Sequence, residues 1–452
     1  MYISRNPATE EVIAEYPLCS ESDLNTIVIK ASEAQQKWKK VSLADRLRCV
    51  ESLIPLLDQY EEKIGRIISC EMGRILRIAY IEVTKQKLFC EHALERASLI
   101  LADQKISNPG LDVKMVHEPL GVIFAITPWN FPFATSVRLS LPALLAGNAV
   151  ILKPAPNVSG SVLALSELYR EAGFPDDIFH VVCLDNPLAE KLICDPVIKK
   201  VSFVGSDVVG SRLAGICGIN SKPILLELGG SDPFIVLADA DIEMASKDAA
   251  VARCANAGQV CCSSKRFIIE EAVYNEFVEK FVFHMSKLKV GDPLDDKNDM
   301  GPLARKDIRD KLTSQVDLAI SRGARVLLDG GSLPGKGYFF SPMILEETNE
   351  IGTSTNEEFF GPVASIFRAK NPEHSIQIAN MSRYGLGSAI YSRNVSKAEQ
   401  LASDLENGFV YINKPPGLNP YIPFGGVKGS GYGRDCGDEG YFEYVSKKVL
   451  VK

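Results

Sequence analysis

The chain has 452 residues, 46% hydrophobic and 24% charged, with a net charge of −7; that length exceeds what one hydrophobic core usually serves, so two or three domains are expected. The mild acidity is spread without a basic block, which argues against nucleic acid and anionic membranes as partners. No apolar run approaches the roughly 18–20 residues that span a bilayer, the N-terminus lacks the features of a secretory signal, and the eleven cysteines follow no disulfide framework, so a cytoplasmic location is expected.

The first hundred residues read as helical. Ser42 is a candidate N-cap, Leu47, Val50, Ile54 and Leu57 recur at helical spacing, and the segment ends at Gly73, with Pro55 expected to bend or interrupt it. The rhythm then changes. Short apolar runs at 121–128, 149–154, 178–182, 200–205 and 223–228 recur every 22–29 residues, with amphipathic stretches between several of them. Continuous rather than alternating apolar strands, spaced by helices, indicate a parallel sheet covered on both faces. A second series ("FIVLAD", "SKRFIIEE", "ARVLLDG", "VASIFRA", "SAIYS", "GFVYIN") suggests another α/β domain from about residue 230. The segments "DVKMVHEP" and "EYVSKKVLVK" alternate polar and apolar residues, as exposed strands do when they pair with another element or subunit.

Several residues sit where chemistry is often done, each with a plainer alternative. "GGSLPGKG" has P-loop-like glycines, but Gly337 follows Lys336 where a Ser or Thr should stand, so a glycine turn between strands is expected. "GVKGSGYG" lacks the flanking strand and helix of a dinucleotide fingerprint and reads as a loop. Gly205 and Ser206, after an apolar strand, form either a phosphate-binding helix start or an ordinary turn. Lys153 ends a strand at the edge where open α/β sheets bind ligands, or is simply solvated there. Asn130 in "TPWNFPF" could present an amide to an oxyanion, or serve as a turn residue. Glu227 closes an apolar strand, as a base with a raised pKa or as a salt-bridge partner. The vicinal Cys261 and Cys262 suit neither a disulfide nor a CxxC site. They are one reactive thiol with a neighbour, or two core residues.

Taken together, "PWNFP", "LKPAP", "SFVGS", "LELGG", "GQVC", "EEFFGPV" and "PFGGVKGSGYGR" stand in the order and spacing of the aldehyde dehydrogenase superfamily. The chain resembles that family over essentially its whole length, and "LKPAPNVSGS" is most similar to the bacterial succinate-semialdehyde dehydrogenase subgroup. The resemblance implies an α/β fold with a Rossmann-like cofactor domain in residues 1–97 and 119–229. It implies an α/β catalytic domain in 230–428 and oligomerisation strands in 98–118 and 440–452. It casts Cys261 as nucleophile, Glu227 as general base, Asn130 as oxyanion-binding amide and Cys262 as a variable neighbour. Lys153, Gly205, Ser206, Glu358, Phe360 and Trp129 fall to the cofactor, NAD or NADP, and no metal is implied. The partners expected are a small aldehyde and further copies of the chain, as a homodimer or homotetramer.

The implied reaction passes through a thiohemiacetal and a thioester that Glu227 helps hydrolyse; with that carboxylate present, a CoA-acylating enzyme is disfavoured. Pro156 replaces a Glu that many NAD-preferring relatives place on the ribose diol, so NADP use is open. Arg138 matches an arginine that binds the distal carboxylate in succinate-semialdehyde enzymes, although a helix-surface cation is the alternative. Leu418, Asn419 and Tyr421 depart from the hydroxyl or basic groups of those relatives, which keeps a neutral or aromatic aldehyde in play. A catalytically silent family member is the remaining alternative.

Overall fold

The computed structural model describes all 452 residues. One sheet has six strands in the order Gly431–Tyr432, Ile224–Glu227, Ile198–Val204, Val122–Ile126, Ala149–Lys153, Phe179–Val181. All neighbours are parallel except the outer pair of Gly431–Tyr432 with Ile224–Glu227. Its central strands are apolar almost throughout because the crossover helices Pro132–Leu145, Ser159–Glu171, Asn186–Cys194 and Asp207–Ile219 cover both faces. Tyr441, Tyr444 and Val445 from the tail pack into the same core.

A second sheet has seven strands in the order Arg325–Leu328, Met343–Glu346, Val363–Ala369, Ser264–Glu270, Asp232–Val236, Gly387–Tyr391, Phe409–Ile412. It is parallel apart from its edge strand Arg325–Leu328. That strand reads in sequence as one more member of the parallel series. It is reversed because the short pair Gly331–Ser332 and Phe340–Ser341, built on the glycine turn of "GGSLPGKG", turns the chain back before Met343. The two alternating segments, Val113–Pro119 and Val445–Val451, pair with each other, and Gln104–Ile106 completes a three-stranded antiparallel sheet.

Two local expectations are corrected. The helix capped by Ser42 runs through Pro55 to Gln59, breaks at Tyr60 (φ −100°, ψ 3°), and a second helix, Glu61–Met72, ends at Gly73 in the left-handed conformation. Pro55 lies on the exposed side, where the carbonyl it frees can face water. The segment "GVKGSGYG" is not only a loop: Val427–Lys428 pairs with Tyr384–Gly385, and Gly431–Tyr432 pairs with Leu226 and Glu227. Its glycines let the backbone run hard against the strand that ends in Glu227; Gly431 has φ +106°, and a Cβ there would stand 2.1 Å from the Leu226 carbonyl oxygen.

These connections place the site. In the first sheet, Val122–Ile126 lies between the strands Ala149–Lys153 and Ile198–Val204, so strand order reverses there and a crevice opens at the carboxyl ends. The chain leaves that edge through residues 228–231 and enters the second sheet at Asp232. Carboxyl ends of the first sheet thus meet amino ends of the second.

Candidate active site

Where the two edges meet lies a cavity of about 530 Å³, and nine of the ten site residues singled out from the sequence line it: Trp129, Asn130, Arg138, Gly205, Ser206, Glu227, Cys261, Glu358 and Phe360. Lys153 stands outside this cavity, at the carboxyl end of its strand, with its ammonium 5.5 Å from the centre of the Tyr2 ring and no hydrogen-bonding side-chain partner. Burial lowers its pKa.

Asn130 sits between the strand Val122–Ile126 and the helix Pro132–Leu145, which starts on Pro132. Its carbonyl accepts hydrogen bonds from Arg74 at 2.6 Å and from the Asn256 amide at 3.0 Å. Its Nδ2 donates to the Gln259 carbonyl at 3.0 Å, and the amide keeps a second N–H. Arg74 is itself fixed, buried in an ion pair with Glu82 and stacked 4.1 Å over the Phe131 ring. Glu82 in turn accepts the Ala134 N–H at 3.1 Å, at the positive end of the helix.

Glu227 is buried, and neither carboxylate oxygen has a hydrogen-bond partner in the protein. Burial pushes its carboxyl well above the usual range, Asp435 adds to the effect and Arg138 opposes it. A Cβ at residue 425 would stand 2.7 Å from Glu227 Oε1, so Gly425 is what leaves room for the carboxylate.

Cys261 lies between a short turn, Ala255–Gly258, and the strand Ser264–Glu270. Asn256 and Ala257 hold left-handed backbone at φ 53° and 52°, strain of the kind that persists where surrounding structure over-determines it. The Gln259 side chain secures the loop, donating to the Asn256 carbonyl at 3.0 Å and accepting the Ala304 N–H at 2.9 Å. No protein acceptor takes the Cys261 N–H. The Cys261 thiol is drawn down to about 7, by the Cys262 thiol first and then by the charges of Arg138 and Lys265, against burial and Glu358. Cys262 is pushed the other way by Cys261 and by burial, so the two neighbouring thiols separate into one acidic and one inert group.

Toward the first sheet, Ser206 begins the helix Asp207–Ile219 without a side-chain cap, leaving main-chain N–H groups free for an anion. Glu358 accepts the Gly230 N–H at 3.2 Å, and a Cβ at residue 229 would stand 2.3 Å from its other oxygen, so Gly229 cradles the carboxylate. Trp129 and Phe360 meet edge-on at 5.5 Å. An uncapped helix start, a cradled acceptor and an aromatic pair suit a dinucleotide: anion, ribose hydroxyls and flat ring.

A model of the aldehyde dehydrogenase family matches residues 2–450. The chain belongs to that family. As an oxidoreductase of this type it has characterised relatives over nearly its full length. It is 37% identical over 450 residues to the succinate semialdehyde dehydrogenase [NAD(P)+] Sad of Escherichia coli, covering 100% of this chain and 97% of that one. It is 36% identical to the NADP(+) succinate-semialdehyde dehydrogenase of Mycobacterium avium, over 98% and 95%. The structure of succinic semialdehyde dehydrogenase from Streptococcus pyogenes in complex with NADP+ superposes with a TM-score of 0.97, at 30% identity over 100% of this chain and 99% of that one. No helix of the enzyme is long and apolar enough to cross a membrane.

Arg138 is not a helix-surface cation. It is buried in the enzyme's cavity wall, its Nε 2.9 Å from Asp435 Oδ2 and its guanidinium 5.4 Å from the Phe424 ring centre. Its terminal nitrogens have no hydrogen-bond partner in the protein, which leaves one side of the fork committed and the other open. The facing wall is apolar at Leu418, while Tyr421 turns outward and donates to Glu95 at 2.8 Å. Arg74, Glu82, Lys265, Asp232 and Asp435 were missed in the sequence. Arg74 lies in the short turn between the helices Glu61–Met72 and Leu76–Thr84, Glu82 lies on the second of these, whose periodicity marks only its apolar face, and Asp435 follows a glycine segment that reads as punctuation. Lys265 opens an apolar strand, "SKRFIIEE", and a buried cation there was the available signal.

Proposed function

We propose that the enzyme oxidises an aldehyde bearing a distal carboxylate, of the succinate semialdehyde kind, with NAD or NADP as its cofactor. The observation that carries the substrate half is Arg138: a buried guanidinium, anchored on Asp435, with open donors in the cavity that holds Cys261 and Glu227. A carboxylate is the partner such a fork accepts best.

The Cys261 thiolate attacks the aldehyde carbon, forming a C–S bond. The oxyanion is held by the Asn130 amide and the free Cys261 N–H, both prepositioned, so little reorganisation is needed as charge develops. Glu358, Gly205, Ser206, Trp129 and Phe360 would hold the dinucleotide, with Lys153 at the same edge of the sheet, and when bound it would supply the hydride acceptor. The product on the enzyme is a thioester. Glu227 takes a proton from water, the resulting hydroxide adds to the thioester carbon, the C–S bond breaks, and the carboxylic acid leaves with Cys261 again a thiolate. Pro156 puts no carboxylate beside the ribose, and relatives named for NAD(P)+ and NADP(+) accord with use of either cofactor.

The test compares initial rates of reduced nicotinamide formation for succinate semialdehyde and butanal. The semialdehyde is strongly preferred, and in Arg138→Leu the ratio of the two kcat/KM values falls by about 10–10², the worth of one hydrogen bond to a charged group. Stranding Asp435 harms both substrates, so the ratio isolates the carboxylate contact. Equal rates in the wild type would remove the substrate and favour a neutral aldehyde against Leu418.

The same reading includes self-association. Strand Val445–Val451 is a sheet edge with Val449, Leu450 and Val451 exposed, an unpaired ladder that folded proteins seldom leave bare. Light scattering is expected to give a dimer or tetramer, and the mass of one 49.4 kDa chain would rule that out.

A further inference from the structure

None of the steps above uses Lys265, yet its ammonium is fully buried. It carries three contacts: Nζ donates to the carbonyls of Val260 at 3.1 Å and Cys261 at 2.6 Å, and it lies 3.3 Å from Glu358 Oε1. An ammonium is costly to bury unless its charge and all its protons are matched, and here each proton has a partner. The strand explains how the group arrives there. Phe267 and Ile269, which follow at period two on the same side, enter the core with the helices Ile242–Cys254 and Tyr274–Ser286. Lys265, two residues earlier, is carried past the end of that core and under the nucleophile loop. Arg266 points the opposite way and caps carbonyls at the end of the helix Pro372–Asn380.

We propose that Lys265 is a positioning residue that ties the Glu358 carboxylate of the cofactor groove to the nucleophile loop, fixing the Val260 and Cys261 carbonyls and favouring the ionised form of the Cys261 sulfur. This rests on Cys261 as nucleophile and Glu358 as a cofactor contact. The groups facing Cys261 are few. Cys262 adjoins it in the chain, Arg138 comes from the helix Pro132–Leu145 and Glu227 from the strand Ile224–Glu227, while Asp232 and Glu358 supply the other negative charges. Arg138 is shared with Asp435. Lys265 is the remaining cation, and its charge is divided between Glu358 and the loop. Any event that draws the Glu358 carboxylate onto ribose hydroxyls leaves more of that charge to the thiolate, so cofactor occupancy and nucleophile ionisation are linked, and the linkage is reciprocal.

The test is the pH dependence of Cys261 alkylation by iodoacetamide, followed by peptide mass on the protein without cofactor or aldehyde. In Lys265→Met the midpoint rises by about one pH unit, the usual size for losing one nearby opposite charge. In Glu358→Gln it falls, because the opposing charge is gone while Lys265 stays. A Lys265→Met protein that melts like the wild type and keeps its midpoint overturns the proposal. So does a Glu358→Gln midpoint that is unchanged or raised, and that arm decides alone if Lys265→Met does not fold. A wild-type Cys261 that fails to label overturns the nucleophile assignment itself, a result distinct from either.

Discussion

Cys261→Ala is expected to lose turnover by about 10⁴ or more, the scale on which removing a covalent nucleophile acts, while cofactor affinity stays near normal. Cys262 does not rescue it. That thiol is buried, and Cys261 and burial push its pKa well above the ordinary value; the residue that lowers the first thiol is itself made inert by the exchange. With Cys261 gone there is no sulfur to form the tetrahedral adduct from which hydride departs, and the Asn130 amide and residue 261 N–H have no oxyanion to hold. Two measurements check this together. Steady-state oxidation falls to near background, and quenching of tryptophan fluorescence by added NADP, with Trp129 in the cavity wall, titrates as in the wild type. The wild-type kcat/KM should bend on its acid side near pH 7, where the Cys261 thiol titrates, and drop about tenfold per unit below it as the thiolate fraction falls. Residual turnover of several per cent in the variant would end the assignment.

The sheets were legible in the sequence because a strand covered on both faces must be apolar at every position, and "GVIFAITP", "AVILKP" and "KVSFVG" have no other reading at that length and spacing. What the pattern could not supply was direction at the edges. Arg325–Leu328 looks like its neighbours but runs against them, since antiparallel pairing depends on a glycine turn and not on the strand's own residues. The site was legible through its motifs, which brought nine residues to one cavity, but its supporting shell was not. Arg74, in the turn after the helix Glu61–Met72, and Glu82, on the helix Leu76–Thr84, hold Asn130 from a segment distant in sequence, and neither a turn nor a helical repeat marks a charged residue as facing inward. The glycine segment before Asp435 shows the same limit. Gly425 and Gly431 are small because Glu227 and the Leu226 carbonyl lie against them, a contact between positions about two hundred residues apart that no local spacing encodes.

Glu227→Gln is expected to separate two properties that damage to the fold would lower together. Turnover falls by roughly 10²–10⁴, the contribution of a positioned general base, but one equivalent of reduced nicotinamide per site still forms in a rapid first phase, since attack by Cys261 and hydride departure precede hydrolysis. The thioester then accumulates and is visible as added mass on the Cys261 peptide. Thermal stability moves the other way. The folded-state pKa of Glu227 lies above that of an unfolded glutamate, so between the two values the folded protein binds more protons than the unfolded chain, and stability declines as pH rises through that window. At neutral pH the wild type buries a carboxyl with no donor on either oxygen. The neutral amide removes that penalty, so the variant melts higher than the wild type near pH 7 and loses the advantage in acid, where Glu227 is protonated in both states. A first phase that disappeared along with steady turnover would assign Glu227 to the thiol rather than to water. A melting temperature lower at every pH would mean that Arg138, whose charge opposes the raised pKa, needs the Glu227 charge for the integrity of the cavity wall.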